Sequence, residues 1–220
     1  MKKILIISLM LSFGLVSGSY ATVIDFRSGV FSGAKGKSVF EYPSAGLTIS
    51  ALSNGAKLYQ DSQDGLGVNS SEDPTTYEWD EIEGAELLKL HFNIPQVLHE
   101  ILITDLFYEP YNCGGDSYHE EGKYSFDNMS WTVFIAEEDQ TPGTNGEFTL
   151  PFPSLPVITD IWFGAPGWMN YEPGLGPRED HEFSVAQIEV NPVPEPATML
   201  LLGSGLICLA GFRRKFRKGE

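Results

Sequence analysis

Residues 88–94, Leu-Lys-Leu-His-Phe-Asn-Ile, carry the clearest structural signal in the chain. Apolar residues occupy the even positions and polar residues the odd ones, which is typical of a strand with one face in a core and the other in solvent. His91 is therefore expected at an exposed position. Similar short runs predict further strands at 22–26, 47–52, 101–107, 131–136, 147–150, 157–163 and 183–190. The alternation of the last run slips once near Ala186 and Gln187, which predicts a bulge there.

These runs, together with the near absence of helical periodicity, predict an all-β fold, an antiparallel, jelly-roll-like β-sandwich. The 220 residues are 42% hydrophobic, enough to form a core. Loops rich in Gly, Pro, Asn and Asp separate the runs, and neither a linker nor a repeat divides them. We therefore expect a single domain at residues 22–191. Residues 75–89 are expected to form a loop that leads into a strand, because Gly84 and many acidic residues oppose a helix.

Composition excludes several classes of protein. The chain has 30 acidic and 14 basic residues, a formal net charge of −16, so it lacks the positive surface that nucleic acids require. It has 2 cysteines, which rule out a disulfide framework and a four-cysteine zinc site.

The N-terminus has the three parts of a secretory signal peptide. Met1-Lys2-Lys3 precedes an apolar run at 4–16, and small residues then lead to Ala21. We expect residues 1–21 to be the signal peptide, cleaved after Ala21.

The C-terminus is also organised in three parts. Pro194-Glu195-Pro196 precedes an apolar run at 197–212, and Arg213, Arg214 and Lys215 begin a basic tail. As a helix, about 16 apolar residues would extend roughly 24 Å, just enough for a single transmembrane helix if the basic side chains snorkel. The basic tail would hold this end in the cytoplasm, so the preceding domain would face outward.

This tripartite end, at residues 192–220, resembles a PEP-CTERM sorting signal. The resemblance implies export by a Gram-negative bacterium, transient anchoring in the inner membrane and processing by a membrane exosortase near the Pro-Glu-Pro motif. Proteins of this kind occur in bacteria that make exopolysaccharide and biofilm matrix. Residues 65–68 and 80–86 also resemble a recurrent ectodomain type of the same family, which supplies no activity or catalytic residue.

Without the two signals, residues 22–194 hold 7 basic and 28 acidic residues, a net charge of about −21. The densest acidic group is a candidate calcium site because Ca²⁺ prefers several oxygen ligands. A solvated acidic loop is the alternative interpretation of this segment. Its members are Glu78, Asp80, Glu81, Glu83 and Glu86.

Aromatic residues in predicted loops are candidate glycan-binding residues, because sugar rings stack on exposed indole and phenol faces. Tyr111 and Tyr118 lie around one glycine-rich loop, while Trp168 and Tyr171 lie around another. Trp162, by contrast, is expected to point into the core with Phe163.

The sequence has no nucleophile elbow, phosphate-binding loop, dinucleotide fingerprint or zinc-ligand spacing. It therefore predicts an exported, non-enzymatic protein of the cell surface or exopolysaccharide matrix. The alternatives are a carbohydrate-binding module that uses loop aromatics, and a secreted glycan hydrolase with a pair of carboxylates.

Overall fold

The computed structural model describes residues 21–69, 81–109, 118–137, 146–166 and 181–193, together with Ser204. In these residues almost all regular structure is β-strand, which confirms the all-β prediction. Two short 3-10 turns, Gly29–Ala34 and Pro43–Ala45, follow the first two strands. The strands are β1 (Thr22–Asp25), β2 (Val39–Tyr42), β3 (Leu47–Ala51), β4 (Lys57–Gln60), β5 (Leu66–Asn69), β6 (Leu87–Thr104), β7 (Tyr108–Glu109), β8 (Tyr118–His119), β9 (Glu121–Ser125), β10 (Thr132–Ile135), β11 (Phe148–Pro151), β12 (Val157–Gly164) and β13 (Ser184–Pro192).

The 18-residue strand β6 joins two runs that the sequence predicts as separate strands. Residues 88–92 pair with β3 on one side, residues 87–91 and 96–97 pair with β12 on the other, and residues 100–103 pair with β11. Residues 93–95 are exposed and lie between the two stretches of β6 that pair with β12. Pro95 has no N–H to donate. It is tolerated here because it lies outside the paired positions, where a missing N–H removes no ladder hydrogen bond.

The pairings described for this sheet are antiparallel. The main order is β10-β9-β12-β6-β13-β5-β4, and β2 joins β6 through β3. β1 pairs with β13, so Thr22 lies opposite Val190. β7 and β8 form a separate two-stranded ladder. The first and the last described strands of the chain are therefore neighbours.

Alternation along β6 builds the centre of the core. Leu88, Leu90 and Phe92 are at most 1% exposed, and β3 and β12 place apolar residues opposite them. Full burial of one such side chain stabilises the fold by about 1.5–3 kcal/mol. Phe26 and Phe31 add an edge-to-face pair with centroids 5.1 Å apart.

The predicted core position of Trp162 is wrong. The ladder between β6 and β12 shifts between Ile158 and Asp160, so the residues beyond this bulge change faces. Ile158, Ile161 and Phe163 are buried, whereas Trp162 lies on the outer face and is half-buried.

The predicted bulge near Ala186 and Gln187 does not appear in the ladder between β1 and β13. Its register continues without a shift from Val190 to Gln187, and the Phe26 N–H then donates to the Ala186 carbonyl. The alternation is lost there for a different reason: residues 183–186 are all buried, as in a strand covered on both faces.

Residues 20–191 form one compact unit, within which all thirteen strands begin. A second unit comprises residues 1–19 and 192–220, in which the structure describes residues 192, 193 and Ser204, the last of which is helical. The predicted membrane helix otherwise lies outside the described residues. Within the described part of the chain, no helix has the length and apolar character needed to cross a membrane.

Candidate functional site

The outer face of strands β6, β12 and β9 carries a group of aromatic and charged side chains. Side chains alternate along a strand, so the core positions of β6 leave Lys89 and His91 on the opposite face. Register places Trp162 opposite Lys89 and Asp160 opposite His91, while Lys123 of β9 lies opposite Gly164. Trp131 contacts Lys123 from the start of β10. We call this surface the tryptophan face; its members are Lys89, His91, Lys123, Trp131, Asp160 and Trp162.

Asp160 connects the polar groups of the tryptophan face. Its Oδ1 atom accepts a hydrogen bond from Lys89 Nζ at 2.7 Å and another from His91 Nδ1 at 2.9 Å. A carboxylate can only accept, so Nδ1 of His91 carries the hydrogen and the neutral ring has Nε2 as its acceptor. Burial raises the pKa of Asp160, but the hydrogen bonds from Lys89 and His91 and the nearby positive charge outweigh burial and hold this pKa below its usual value. Asp160 is therefore an anion at neutral pH.

An ammonium group accompanies each tryptophan ring. Lys89 Nζ lies 4.8 Å from the centroid of Trp162, and Lys123 Nζ lies 5.3 Å from the centroid of Trp131. Both distances fall within the range of cation–π attraction. Burial lowers the pKa of Lys123 from its usual value. These contacts hold each ammonium group over one face of its ring, so a ligand could stack only on the other face.

Several polar atoms of the tryptophan face have no protein partner among the described residues. They are Asp160 Oδ2, His91 Nε2 and the indole N–H groups of Trp131 and Trp162. The face is open to solvent, with side-chain exposures of 28% for Lys89, 24% for Asp160 and 41% for His91. It therefore offers a positioned donor and acceptor set beside two aromatic rings, an arrangement suited to binding a polar ligand.

The sequence contained part of this signal. His91 was expected to be exposed, and its side chain lies on the outer face with 41% of its surface exposed. The group itself could not be predicted, because only strand register brings β6, β12 and β9 together and only the bulge turns Trp162 outward.

Three members of the predicted calcium group are described. Glu83 and Glu86 are 3% and 2% exposed, and Glu86 Oε2 accepts the Glu83 N–H at 3.3 Å. Among the described residues, no three His, Cys, Asp or Glu side chains are grouped so that they could hold a metal ion. Glu78 and Asp80 lie outside the described residues. The calcium site stays a prediction, which calcium-dependent melting of the protein would test.

Most of the predicted loop aromatics lie outside the described residues, namely Tyr111, Trp168 and Tyr171. Tyr118 begins β8, where its backbone pairs with Glu109 of β7. The predicted glycan site on these loops therefore stays a prediction.

At the N-terminal end of the described residues, Ala21 is exposed and directly precedes β1. The predicted cleavage after Ala21 would make Thr22, the first residue of β1, the new N-terminus. The predicted sorting residues lie outside the described residues: Pro194, Glu195, Pro196, Arg213, Arg214 and Lys215.

Comparison with known proteins identifies the C-terminal segment. No curated protein matches the chain. A family model described as the PEP-CTERM protein-sorting motif matches residues 192–215, which contain all six predicted sorting residues. This motif implies export to the cell surface of a Gram-negative bacterium and processing by a membrane exosortase. The chain therefore carries a PEP-CTERM protein-sorting motif.

Proposed function

We propose that this chain is a non-enzymatic component of the exopolysaccharide or biofilm matrix, delivered to the cell surface by exosortase-dependent sorting. The PEP-CTERM match at residues 192–215 carries the proposal. The acidic composition is compatible with this role, since a strongly charged domain stays soluble outside the cell.

The position of the motif relative to the folded unit supports processing. The compact unit ends at Asn191, and the motif match begins at residue 192. Cleavage near Pro194-Glu195-Pro196 would therefore leave every strand pairing of the compact unit intact. The mature protein would be a folded domain without a membrane segment.

We further propose that both ends act in export. Residues 1–21 serve as the signal peptide, and the apolar run at 197–212 is a transmembrane helix that holds the precursor in the inner membrane until the exosortase acts. The exposed position of Ala21 before β1 is compatible with cleavage there.

The mature domain is proposed to be a jelly-roll-like β-sandwich. The 18-residue strand β6 favours this architecture, because residues 88–92 pair with β3 whereas residues 100–103 pair with β11, so its two ends have different partners. A strand that bends out of one sheet into another is a known way of forming the corner between two packed sheets.

The intact mass of the protein from the surface fraction of its host tests the sorting proposal. We expect a chain that starts at Thr22 and ends near Pro194, with or without an added glycan or lipid. A variant with alanine at 194–196 should retain residues up to Glu220 and stay in the membrane fraction. A wild-type chain that also ends at Glu220 would contradict the proposal.

The non-enzymatic role has its own test. Purified residues 22–191, which lie within the compact unit, should release no products from soluble glycans or peptides. Turnover that disappears on substitution of a single carboxylate would instead identify a hydrolase.

A further inference from the structure

We propose that the tryptophan face binds a neutral polysaccharide, with Trp131 and Trp162 as stacking surfaces and Asp160, His91 and the two lysines as hydrogen-bonding groups. This inference rests on the proposed matrix role for the class of its ligand. It differs from the loop-aromatic alternative, because it uses side chains on the strands of the sheet.

The two rings are spaced for a polymer. Trp162 of β12 lies opposite Ser125 of β9, and Trp131 precedes β10, the next strand beyond β9. Neighbouring strands are about 4.8 Å apart, so two strand spacings separate the rings by about 10 Å. A chain of several sugar rings can contact both indoles at once, whereas a single small sugar can contact one.

The groups around the rings suit hydroxyls. Asp160 Oδ2 and His91 Nε2 can accept hydrogen bonds from a sugar, and the indole N–H groups can donate to one. The bonds from Lys89 and His91 to Asp160 Oδ1 hold the carboxylate in place before a ligand arrives. Such preorganisation reduces the entropy lost on binding.

The net charge of the whole domain, rather than that of the face alone, favours an uncharged polymer. Lys89 and Lys123 are 2 of the 7 basic residues at 22–194, and on this face Asp160 balances Lys89 within a domain of net charge about −21. A polyanion would be repelled by the domain as a whole, and a polycation would be drawn to the acidic surface elsewhere. A neutral glycan incurs neither electrostatic cost.

Affinity electrophoresis of purified residues 22–191 tests the inference. The native gels contain mixed-linkage β-glucan, dextran, galactomannan or, as the polyanion, alginate. We expect at least one of the three neutral polymers to slow migration and alginate to have no effect. Trp162→Ala should weaken binding at least ten-fold, and Asp160→Asn, which preserves side-chain shape, should weaken it several-fold.

The double variant Trp168→Ala/Tyr171→Ala is the matched control and should bind like the parent. Near-ultraviolet circular dichroism and thermal melting establish that each variant is folded; if Trp162→Ala does not fold, Trp162→Phe and Asp160→Asn decide the result. Binding that is lost in the control and kept in Trp162→Ala would assign the glycan to the loops and overturn the inference.

Three other results would also overturn it: retardation by alginate alone, no retardation by any of the neutral polymers, or self-association that Trp162→Ala abolishes without a glycan present. A correctly processed protein that binds none of the neutral polymers would defeat this inference alone. A protein that binds a neutral polymer but still ends at Glu220 would defeat the sorting proposal alone.

Discussion

Gly65 occupies a position that no other residue fits without strain. Its φ is +118°, and a Cβ atom there would lie 2.5 Å from the Val185 carbonyl oxygen and 2.8 Å from Ala186 Cα. Both contacts are with backbone of β13, which cannot move without disturbing its ladders. The absent side chain therefore permits the close approach of β5 and β13.

We expect Gly65→Ala to lower the free energy of unfolding of residues 22–191 by more than about 2 kcal/mol, through backbone strain and overpacking. Urea denaturation measures the change. Gly29→Ala is the control, since nothing lies within 4 Å of its added Cβ. An equal effect of the two substitutions would show that the approach to Val185 is not tight.

His181 makes the stability of the domain depend on pH. The side chain is 4% exposed, and its Nδ1 accepts the Glu121 N–H at 3.0 Å. Burial lowers the pKa of His181 in the folded state, and the charge of Glu121 only partly opposes this effect. The unfolded chain takes up the proton more readily, so stability falls as pH decreases below about 6.5.

We expect His181→Asn to reduce this loss, because an asparagine oxygen can accept the same N–H and does not titrate. Unfolding free energies measured between pH 7.5 and 5 test the prediction. If the parent and the variant lose stability in parallel, His181 is not the group responsible.

The face of the sheet on which Trp162 lies could not be predicted from the residue types around it. The exposure of Trp162 depends on the register shift at which Thr159 lies opposite residues 92–95 of β6, and nothing in the residue types at 157–163 marks that shift. The outward orientation of Lys89 and His91 could be predicted, because no such irregularity interrupts residues 88–92. These residues pair with β3 in continuous register.

Strand β6 offers a direct comparison of two apolar side chains on one element. Leu90 is fully buried between β3 and β12, whereas Ile94 is 53% exposed near the change of pairing. We expect Leu90→Ala to destabilise the domain by about 2–5 kcal/mol through lost burial and the remaining cavity. Ile94→Ala should change stability by no more than about 0.5 kcal/mol. Urea denaturation of the two variants tests this, and a larger effect of Ile94→Ala would contradict the observed pairing.

Most strands with clear alternation were predicted, but β2, β4, β5, β7, β8 and β9 were not, although the burial of β4 does alternate. The predicted runs at 22–26, 47–52, 131–136, 147–150, 157–163 and 183–190 all contain observed strands. β5 was not predicted because Leu66, Gly67 and Val68 are all buried, so the segment shows no alternation. β9 was not predicted because Gly122 interrupts a short polar segment. The merging of two predicted runs into β6 was hidden by Pro95, which usually ends a strand.

Net charge also affects stability, because carboxylates spread over the domain repel each other when it is compact. Residues 22–194 carry about −21. We expect 0.5 M NaCl to raise the melting temperature relative to 10 mM NaCl by screening this repulsion. Calorimetry at pH 7.5 measures the shift, and sucrose of equal osmolality controls for solvent exclusion. A lower melting temperature in salt would mean that attractive ion pairs outweigh the repulsion.

Melting temperatures measured by calorimetry also test the predicted calcium site. At constant ionic strength, a structural site would make millimolar Ca²⁺ raise the melting temperature more than Mg²⁺ does. Equal effects of the two ions would leave general screening as the explanation and remove the calcium prediction for the segment from Glu78 to Glu86.

The sorting signal was easier to predict from the sequence than the tryptophan face. A sorting signal consists of contiguous residues, so the C-terminal pattern was visible and the family match confirms it. The tryptophan face joins residues from three strands and the residue directly before β10, and its existence depends on pairings between segments up to about 70 residues apart. The sequence alone contains no local pattern that records those contacts.

The pairing of β1 with β13 has a mechanical consequence for a tethered precursor. β13 leads directly into the motif, yet in the sheet it lies between β6 and β5 and also pairs with β1. A pull transmitted from the membrane would therefore reach an internal strand, and extracting it would require several ladders to rupture together. The end of the domain that leads into the motif would thus resist extension rather than fray.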